Sequence, residues 1–148
     1  MQAKKFLTAL SAAIALAAPA WSQTHSDPEK KAAGTWYGEY QPAPRQALQR
    51  FVTTRAADGT FTLHARMYEN GKVVAELKNR GLWGVSNGMY FTVTTEVNDL
   101  PTEARKPDVI NAYLVQKLEG DEFEYMHVAS GNRFRVKRVE AGSVRLPD

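Results

Sequence analysis

Histidine, tyrosine and tryptophan are the side chains in this sequence that could bind or act on a ligand. Of the three histidines, His25 lies in a polar N-terminal stretch and His64 alternates with other polar residues, whereas His127 is predicted to face inward beside Tyr125. A metal ion needs several convergent ligands, so a lone histidine predicts no metal site. The sequence also lacks a Gly-x-Ser-x-Gly turn, a phosphate loop, a His-Glu-x-x-His motif and any cysteine. We therefore predict a protein with no catalytic residue and no cofactor, which is not an enzyme.

Polar and aromatic residues at inward positions instead form a candidate binding site. Apolar walls with a few well-placed polar groups suit a small hydrophobic or amphipathic ligand. They equally suit a filled interior in which every buried polar group is hydrogen-bonded. The predicted ligand-binding residues are Trp83, Phe91, Tyr125, His127, Asn79 and Gln116.

Turn-forming pairs of residues divide the chain after residue 33 into short segments rich in Val, Thr, Tyr and Phe. Such pairs supply the positive φ angles of tight hairpins, and they are Asp58-Gly59, Asn70-Gly71, Asn87-Gly88, Gly120-Asp121 and Gly131-Asn132. The pattern predicts about eight strands, at residues 35–41, 49–56, 60–68, 72–85, 89–97, 109–118, 122–129 and 133–139. Eight antiparallel strands are enough to close an all-β, up-and-down barrel. A two-sheet β-sandwich is the alternative.

Hydrophobic alternation also predicts how neighbouring strands pair, because a register error of one residue would turn an apolar face to solvent. Three-residue loops at 69–71 and 86–88 keep the apolar residues of the middle strands on one face. The predicted pairs are Met67 with Val73, Leu63 with Leu77, Trp83 with Phe91, Leu118 with Phe123, Gln116 with Tyr125 and His127 with Val136.

The N-terminus has the layout of a secretory signal peptide. Lys4 and Lys5 precede an uncharged stretch at 6–20, and small residues near Ala20 and Ser22 supply cleavage sites. The stretch is interrupted by Pro19 and is shorter than the roughly 20 apolar residues that span a bilayer. We predict a signal peptide at 1–22, a flexible leader at 23–32, one domain at 33–148 and a periplasmic or secreted location, with no membrane span.

Charge restricts the partners of the exported form. Of 19 basic residues, two lie within residues 1–22, which leaves 17 against 16 acidic residues, a net charge of about +1. A near-neutral domain does not indicate nucleic-acid binding. Arg133, Arg135 and Lys137 alternate on a predicted outer face, which makes an anionic envelope surface a candidate partner. Without cysteine, packing and sheet hydrogen bonds must hold the fold. The sequence predicts no particular oligomeric state.

Gly34-Thr35-Trp36 at the first strand, the meander of hairpins and Arg138 in the last strand resemble the lipocalin-like (calycin) β-barrels, among them bacterial exported members of unknown role. The resemblance implies that Trp36 closes one end of the barrel and that Arg138 packs over it. It also implies an exported, non-enzymatic protein that holds a small hydrophobic or amphipathic ligand. The alternative is a packed barrel that acts through its surface, as an envelope interaction or inhibitor module, with residues 98–108 and the basic last strand as contacts.

Overall fold

Nine β-strands and one helix make up the part of the chain that the computed structural model describes, residues 27–103, 106 and 109–148. The predicted signal peptide at 1–22, the first part of the predicted leader, and residues 104, 105, 107 and 108 of the 98–108 connection lie outside the described residues. Helix α1 spans Asp27–Ala32. The strands are β1 (Gly34–Tyr40), β2 (Leu48–Arg55), β3 (Thr60–Glu69), β4 (Lys72–Ser86), β5 (Met89–Val97), β6 (Leu100–Pro101), β7 (Ile110–Glu119), β8 (Glu122–His127) and β9 (Arg133–Val139).

The strands form a closed antiparallel barrel. In the sheet β1 pairs with β2, β2 with β3, β3 with β4, and β4 with β5. Strand β5 then pairs with β7, β7 with β8, and β8 with β9. The barrel closes because β1 pairs with both β2 and β9. The two-residue strand β6 only extends β5 at one end. The prediction of an eight-stranded up-and-down barrel is therefore confirmed, and the β-sandwich alternative is wrong.

The two Asn-Gly hairpins use two-residue turns, so the predicted three-residue loops are wrong. Asn70, Gly71, Asn87 and Gly88 all have positive φ angles, as the type I′ turns that match strand twist require. A bulge beside Tyr68 then restores the apolar face, so that Met67 pairs with Ala75. The observed pairs replacing the predictions are Ala65 with Leu77, Leu63 with Asn79 and Trp83 with Thr92.

A second bulge and a longer loop change the predicted pairing of the last three strands. Leu118 pairs with Phe123 as predicted, but a bulge at Gln116 brings Val115 opposite Tyr125. Residues 128–130 form a turn after β8. Consequently His127 pairs with Tyr113 on β7, and Val136 pairs with Phe123. The predicted pairs Gln116 with Tyr125 and His127 with Val136 are wrong, because alternation alone does not reveal where an extra residue enters a strand.

Helix α1, Asp27–Ala32, lies in the second half of the stretch predicted as a flexible leader. Ala32 is completely buried, and its carbonyl oxygen accepts a 2.9 Å hydrogen bond from the indole Nε1 of Trp36. The helix therefore belongs to the end of the barrel at which β1 begins. In the part of the chain described, no helix has the length and apolar character needed to cross a membrane.

The C-terminal residues run along the outside of β3. The Arg66 guanidinium donates hydrogen bonds to the carbonyl oxygens of Leu146 and Pro147, at 3.0 and 2.8 Å. The Tyr68 hydroxyl donates a further 2.8 Å bond to Pro147. Leu146 is buried against the barrel, so the segment adds a small patch of packing outside the main core.

Candidate functional site

One end of the barrel is closed by Trp36 and Arg138. Trp36 is completely buried, and the Arg138 guanidinium carbon lies 4.2 Å from its ring centroid. Arg138 Nη1 and Nη2 donate hydrogen bonds of 2.7 and 2.6 Å to the carbonyl oxygens of Ala33 and Lys31. The cation thus stacks on the indole while carbonyl groups accept its protons. The predicted packing of Arg138 over Trp36 is confirmed.

Gly34 makes this closure sterically feasible. Its φ is +118°, where side chains are strained, and a Cβ atom would lie 2.5 Å from Arg138 Nη1. The Gly-x-Trp sequence therefore has a direct physical meaning here. Glycine leaves room for the arginine, and the tryptophan two residues later is the ring on which the arginine stacks.

Above this closed end, the barrel interior contains a partly open cavity of about 180 Å³. Its lining alternates along each strand, as expected for the inner face of a sheet. The aromatic and aliphatic lining residues are Phe51, Phe61, Leu63, Leu77, Tyr90, Tyr113, Tyr125 and Phe134. The remaining lining residues are Gln49, Thr53, Arg55, Asn79, Thr92, Thr94 and Asn111.

Arg55 is the charged residue of this lining. It is 1% exposed and pairs in the sheet with Gly34, which places it at the closed end. Its Nε donates a 3.1 Å hydrogen bond to the Tyr90 hydroxyl, and its guanidinium carbon lies 4.7 and 5.1 Å from the Tyr90 and Phe123 ring centroids. Its Nη1 and Nη2 make no hydrogen bond of good geometry within the described residues, although the nearby Tyr125 hydroxyl interacts with the guanidinium and raises its pKa.

The guanidinium remains a cation in this buried position. Burial alone would lower the pKa of Arg55, but the Tyr90 and Tyr125 hydroxyls outweigh that effect and raise the pKa above its ordinary value. Burial also raises the pKa values of Tyr125 and Tyr113 well above the usual range for a phenol. At neutral pH the positive charge of Arg55 therefore lies beside the uncharged phenols of Tyr113 and Tyr125.

Asn79 contributes a second unsatisfied polar atom. Its Oδ1 is buried and accepts no hydrogen bond in the described part of the chain. Asn79 pairs with Leu63 on β3 and Val97 on β5, so it lies on the wall, further from the closed end than Arg55. Buried polar groups are normally hydrogen-bonded, so Arg55 and Asn79 are two polar groups of the cavity lining with unused hydrogen-bonding capacity in the described part of the chain.

Two of the six predicted ligand-binding residues, Tyr125 and Asn79, line the cavity. Trp83 does not. It is 7% exposed and belongs to the core, and its indole Nε1 donates a 2.9 Å hydrogen bond to the Ala56 carbonyl oxygen beside the β2–β3 turn. Trp83 thus anchors a hairpin at the closed end.

The predicted inward orientations of Phe91 and Gln116 are wrong. The two-residue Asn87-Gly88 turn reverses the alternation of β5, so Phe91 is 41% exposed and packs across Gly84 on the outer face. Gln116 occupies the β7 bulge and is exposed. His127 contacts the Tyr113 ring at 5.1 Å, but it lies outside the cavity lining, and its Nδ1 is 2.8 Å from the Ser130 hydroxyl.

Three important cavity residues were not predicted: Arg55, Tyr90 and Tyr113. Alternation from Phe51 through Thr53 contains the signal for Arg55, since these three odd-numbered residues of β2 all line the cavity. The type I′ preference of Asn87-Gly88 contains the signal for Tyr90, which pairs with the buried Val85. No comparable signal identifies Tyr113, because the Gln116 bulge sets its face.

A larger open groove of about 800 Å³ runs outside the barrel, between the C-terminal residues and β2–β4. Two of its lining residues share one acid: Glu76 lies 2.7 Å from His64 Nε2 and 3.1 Å from Arg66 Nε. These pairs keep the pKa of Glu76 below its ordinary value. Lys78, Arg80 and Arg145 also line this solvent-open groove, whereas Arg55 is the cation of the internal cavity lining.

The fold and the cavity define a closed eight-stranded antiparallel barrel with a buried cation in its interior. No protein-family model matches the sequence, and comparison with curated proteins gives no match. The function must therefore be inferred from the residues of the cavity itself.

Proposed function

We propose that this chain is an exported, non-enzymatic binding protein of the lipocalin-like type, which holds a small hydrophobic or amphipathic ligand inside its barrel. The observation that supports this function is the partly open cavity of about 180 Å³ between the strands. A cavity of about 150 Å³ in an engineered protein is sufficient to bind benzene. The volume thus favours a compact ligand with one ring or a short chain.

The residues around the cavity suit binding. Tyr90 stacks on Tyr113 with ring centroids 5.1 Å apart, and Tyr125 stacks on Phe134 at 5.5 Å. Flat rings offer a large apolar area with little rotational freedom. The threonines and amides of the lining donate and accept hydrogen bonds, which orients a ligand rather than transferring its protons.

The lipocalin-like assignment rests on the closed end of the barrel. The glycine, tryptophan and late arginine of the resemblance come together as Gly34, Trp36 and Arg138. The up-and-down order of the eight strands agrees with that class. Export rests on the signal-peptide pattern at residues 1–22. N-terminal sequencing of the protein recovered outside the cytoplasm should therefore begin at Trp21 or Gln23, and an intact Met1 would contradict export.

Native mass spectrometry tests ligand binding. The protein is purified from the envelope of its own cells and compared with the same protein after unfolding and refolding. We expect a small mass excess that collisional activation removes and that refolding abolishes. A parallel titration of the refolded protein with toluene, benzyl alcohol and benzoate should show saturable binding of at least one compound.

Adjacent residues on opposite faces of β5 provide matched variants. Thr92 lines the cavity, whereas Phe91 faces outward. Thr92→Phe should fill the cavity and abolish binding, while Phe91→Ala should leave it unchanged. Absence of a native ligand together with no binding of any of the three compounds would overturn the proposal in favour of a packed barrel that acts through its surface.

A further inference from the structure

We propose that the barrel cavity is specific for a compact organic anion, whose carboxylate or equivalent group binds the Nη1 and Nη2 atoms of Arg55. This inference rests on the proposed function and specifies the chemical class of its ligand. It is based on the two terminal nitrogens that have no hydrogen-bond partner in the described part of the chain.

In the ligand-free protein, a buried guanidinium whose terminal nitrogens lack acceptors raises the free energy of the folded state. Removing a charge from water is costly unless hydrogen bonds and an opposite charge compensate. The Tyr90 hydroxyl accepts one proton, from Nε, and the rings of Tyr90, Phe123 and Tyr125 face the cation at 4.7, 5.1 and 5.8 Å. These contacts leave the planar edge formed by Nη1 and Nη2 unsatisfied, which is the edge that binds a carboxylate in a bidentate way.

Comparison with Arg138 shows that the fold can fully satisfy a stacked arginine. Both guanidinium groups lie over aromatic rings, at 4.2 Å for Arg138 on Trp36 and 4.7 Å for Arg55 on Tyr90. The terminal nitrogens of Arg138 donate to two backbone carbonyl oxygens, whereas those of Arg55 make no such hydrogen bond among the residues that the structure describes. Stacking explains Arg138 as a structural residue, but it does not explain the unused donors of Arg55.

The walls of the cavity favour an organic anion over an inorganic one. Beyond Arg55 the lining includes the stacked rings of Tyr90 and Tyr113 and those of Tyr125 and Phe134. A small inorganic anion would contact the arginine and leave this apolar surface uncovered. A benzene ring bearing one carboxylate would satisfy the cation, cover the rings and suit the volume of about 180 Å³.

Asn79 supports an occupant with polar groups at two points. Its unsatisfied Oδ1 is an acceptor on the cavity wall, away from the closed end where Arg55 pairs with Gly34. A hydroxyl group on the ligand, opposite its carboxylate, would donate to this oxygen. Among aromatic acids, a hydroxybenzoate therefore complements both unsatisfied groups.

Isothermal titration calorimetry with the full chain tests this inference. Benzoate and benzamide have nearly the same shape but differ in charge. We expect benzoate to bind at least about tenfold more tightly at pH 7, because charge-assisted hydrogen bonds are about twice as strong as neutral ones. Sodium chloride added at the same molar concentration as benzoate should not displace benzoate from the cavity.

Substitution of Arg55 assigns the preference to that residue. Arg55→Met keeps a long apolar side chain, and it should weaken benzoate binding about tenfold or more while changing benzamide binding less than about threefold. Arg55→Lys keeps the charge without the bidentate edge and should retain part of the preference. Arg80→Met removes a positive charge from the exposed surface and should leave the preference unchanged. The comparison of ligands in the unsubstituted protein stands even if an Arg55 variant fails to fold.

The outcomes separate this inference from the proposed function. Equal affinities for benzoate and benzamide, or a preference that survives Arg55→Met, would overturn the anion specificity and leave a cavity that binds neutral ligands. Displacement of benzoate by equimolar chloride would overturn the organic ligand class. Absence of binding by both aromatic compounds would overturn the proposed function itself.

Discussion

The guanidinium of Arg138 lies 4.2 Å from the ring centroid of Trp36, at the end of the barrel where β1 begins. On its inner side Trp36 packs edge-on against Phe123 at 5.8 Å, and Phe123 in turn lies 5.1 Å from the guanidinium of Arg55. Two arginines thus flank the aromatic floor of the barrel. The outer one is bonded to the backbone, and the inner one faces the cavity.

The first prediction concerns the free energy of unfolding of the closed end. Trp36→Ala should lower it by about 3–5 kcal/mol, because truncating a buried aromatic side chain leaves a cavity. Arg138→Ala should lower it by a smaller amount. In the double variant the two losses should be less than additive, since each single substitution already removes the cation–π contact. Urea unfolding of the four proteins measures this coupling, and strict additivity would contradict it.

The second prediction concerns the glycine that precedes this tryptophan. Gly34→Ala should destabilise the fold by about 1–3 kcal/mol, because the residue has a positive φ and its Cβ would clash with Arg138. Gly142→Ala is a matched control, with a positive φ but no atom within 4 Å of the added Cβ. Thermal unfolding should show a larger loss at Gly34, and Arg138→Ala should relieve part of it. Equal losses at both glycines would contradict the steric argument.

The order and approximate limits of the strands could be predicted because they depend on local signals. Turn dipeptides and alternating side chains occur within a few residues of one another, and they fix where each strand starts and ends. The contact between Trp36 and Arg138 was expected from the resemblance to lipocalin-like barrels. The pairing of the last strand with the first agrees with it.

The cavity could be predicted only in part, because its lining depends on turn type and bulges. One residue more or less in the Asn87-Gly88 turn exchanges Phe91 for Tyr90 on the inner face. In the same way, the bulge at Gln116 places Tyr113 on the inner face of β7 and Leu114 on the outer face. The alternation of β2 indicates that Arg55 faces inward, as Phe51 and Thr53 do. An arginine at an inward position, however, contradicts the usual preference for apolar residues.

The third prediction is a loss of stability at high pH through Tyr113 and Tyr125. Burial raises both pKa values above that of an unfolded tyrosine, about 10. Below pH 10 both states hold these protons and stability does not depend on them. Above pH 10 the unfolded chain releases them while the folded chain does not, so the free energy of unfolding should fall by up to about 1.4 kcal/mol per pH unit for each tyrosine.

Urea unfolding between pH 9 and 11.5 measures this slope, and phenolate absorbance follows the ionisation directly. Tyr113→Phe and Tyr125→Phe should each flatten the slope. Tyr37 provides a surface comparison, because partial burial and its hydrogen bond to Glu39 raise its pKa to about 12. Within this pH range its replacement by Phe should also flatten the slope, because the pKa of Tyr37 is likewise raised above that of the unfolded chain. Phenolate absorbance that develops fully at pH 10 in the folded protein would contradict the burial of the two cavity tyrosines.

The fourth prediction concerns stability without ligand and separates a binding residue from a structural one. Arg55→Met should leave the free energy of unfolding unchanged or raise it, because the substitution removes a buried charge whose terminal nitrogens have no partner. The lost stacking on Tyr90 and Phe123 opposes this gain, but such contacts contribute only about 0.5–2 kcal/mol. Arg138→Met is the matched control and should destabilise, because the backbone acceptors of Lys31 and Ala33 lose their donors.

Urea unfolding of ligand-free protein gives both values, and repeating it with saturating benzoate completes the comparison. Ligand should stabilise the unsubstituted protein, in proportion to the logarithm of its concentration, and should stabilise the Arg55→Met variant far less. A protein whose fold does not need this cation, and which is stabilised when an anion binds it, has evolved the site for the ligand rather than for the fold. A loss of more than about 2 kcal/mol in ligand-free Arg55→Met would instead show that the guanidinium holds the barrel floor together.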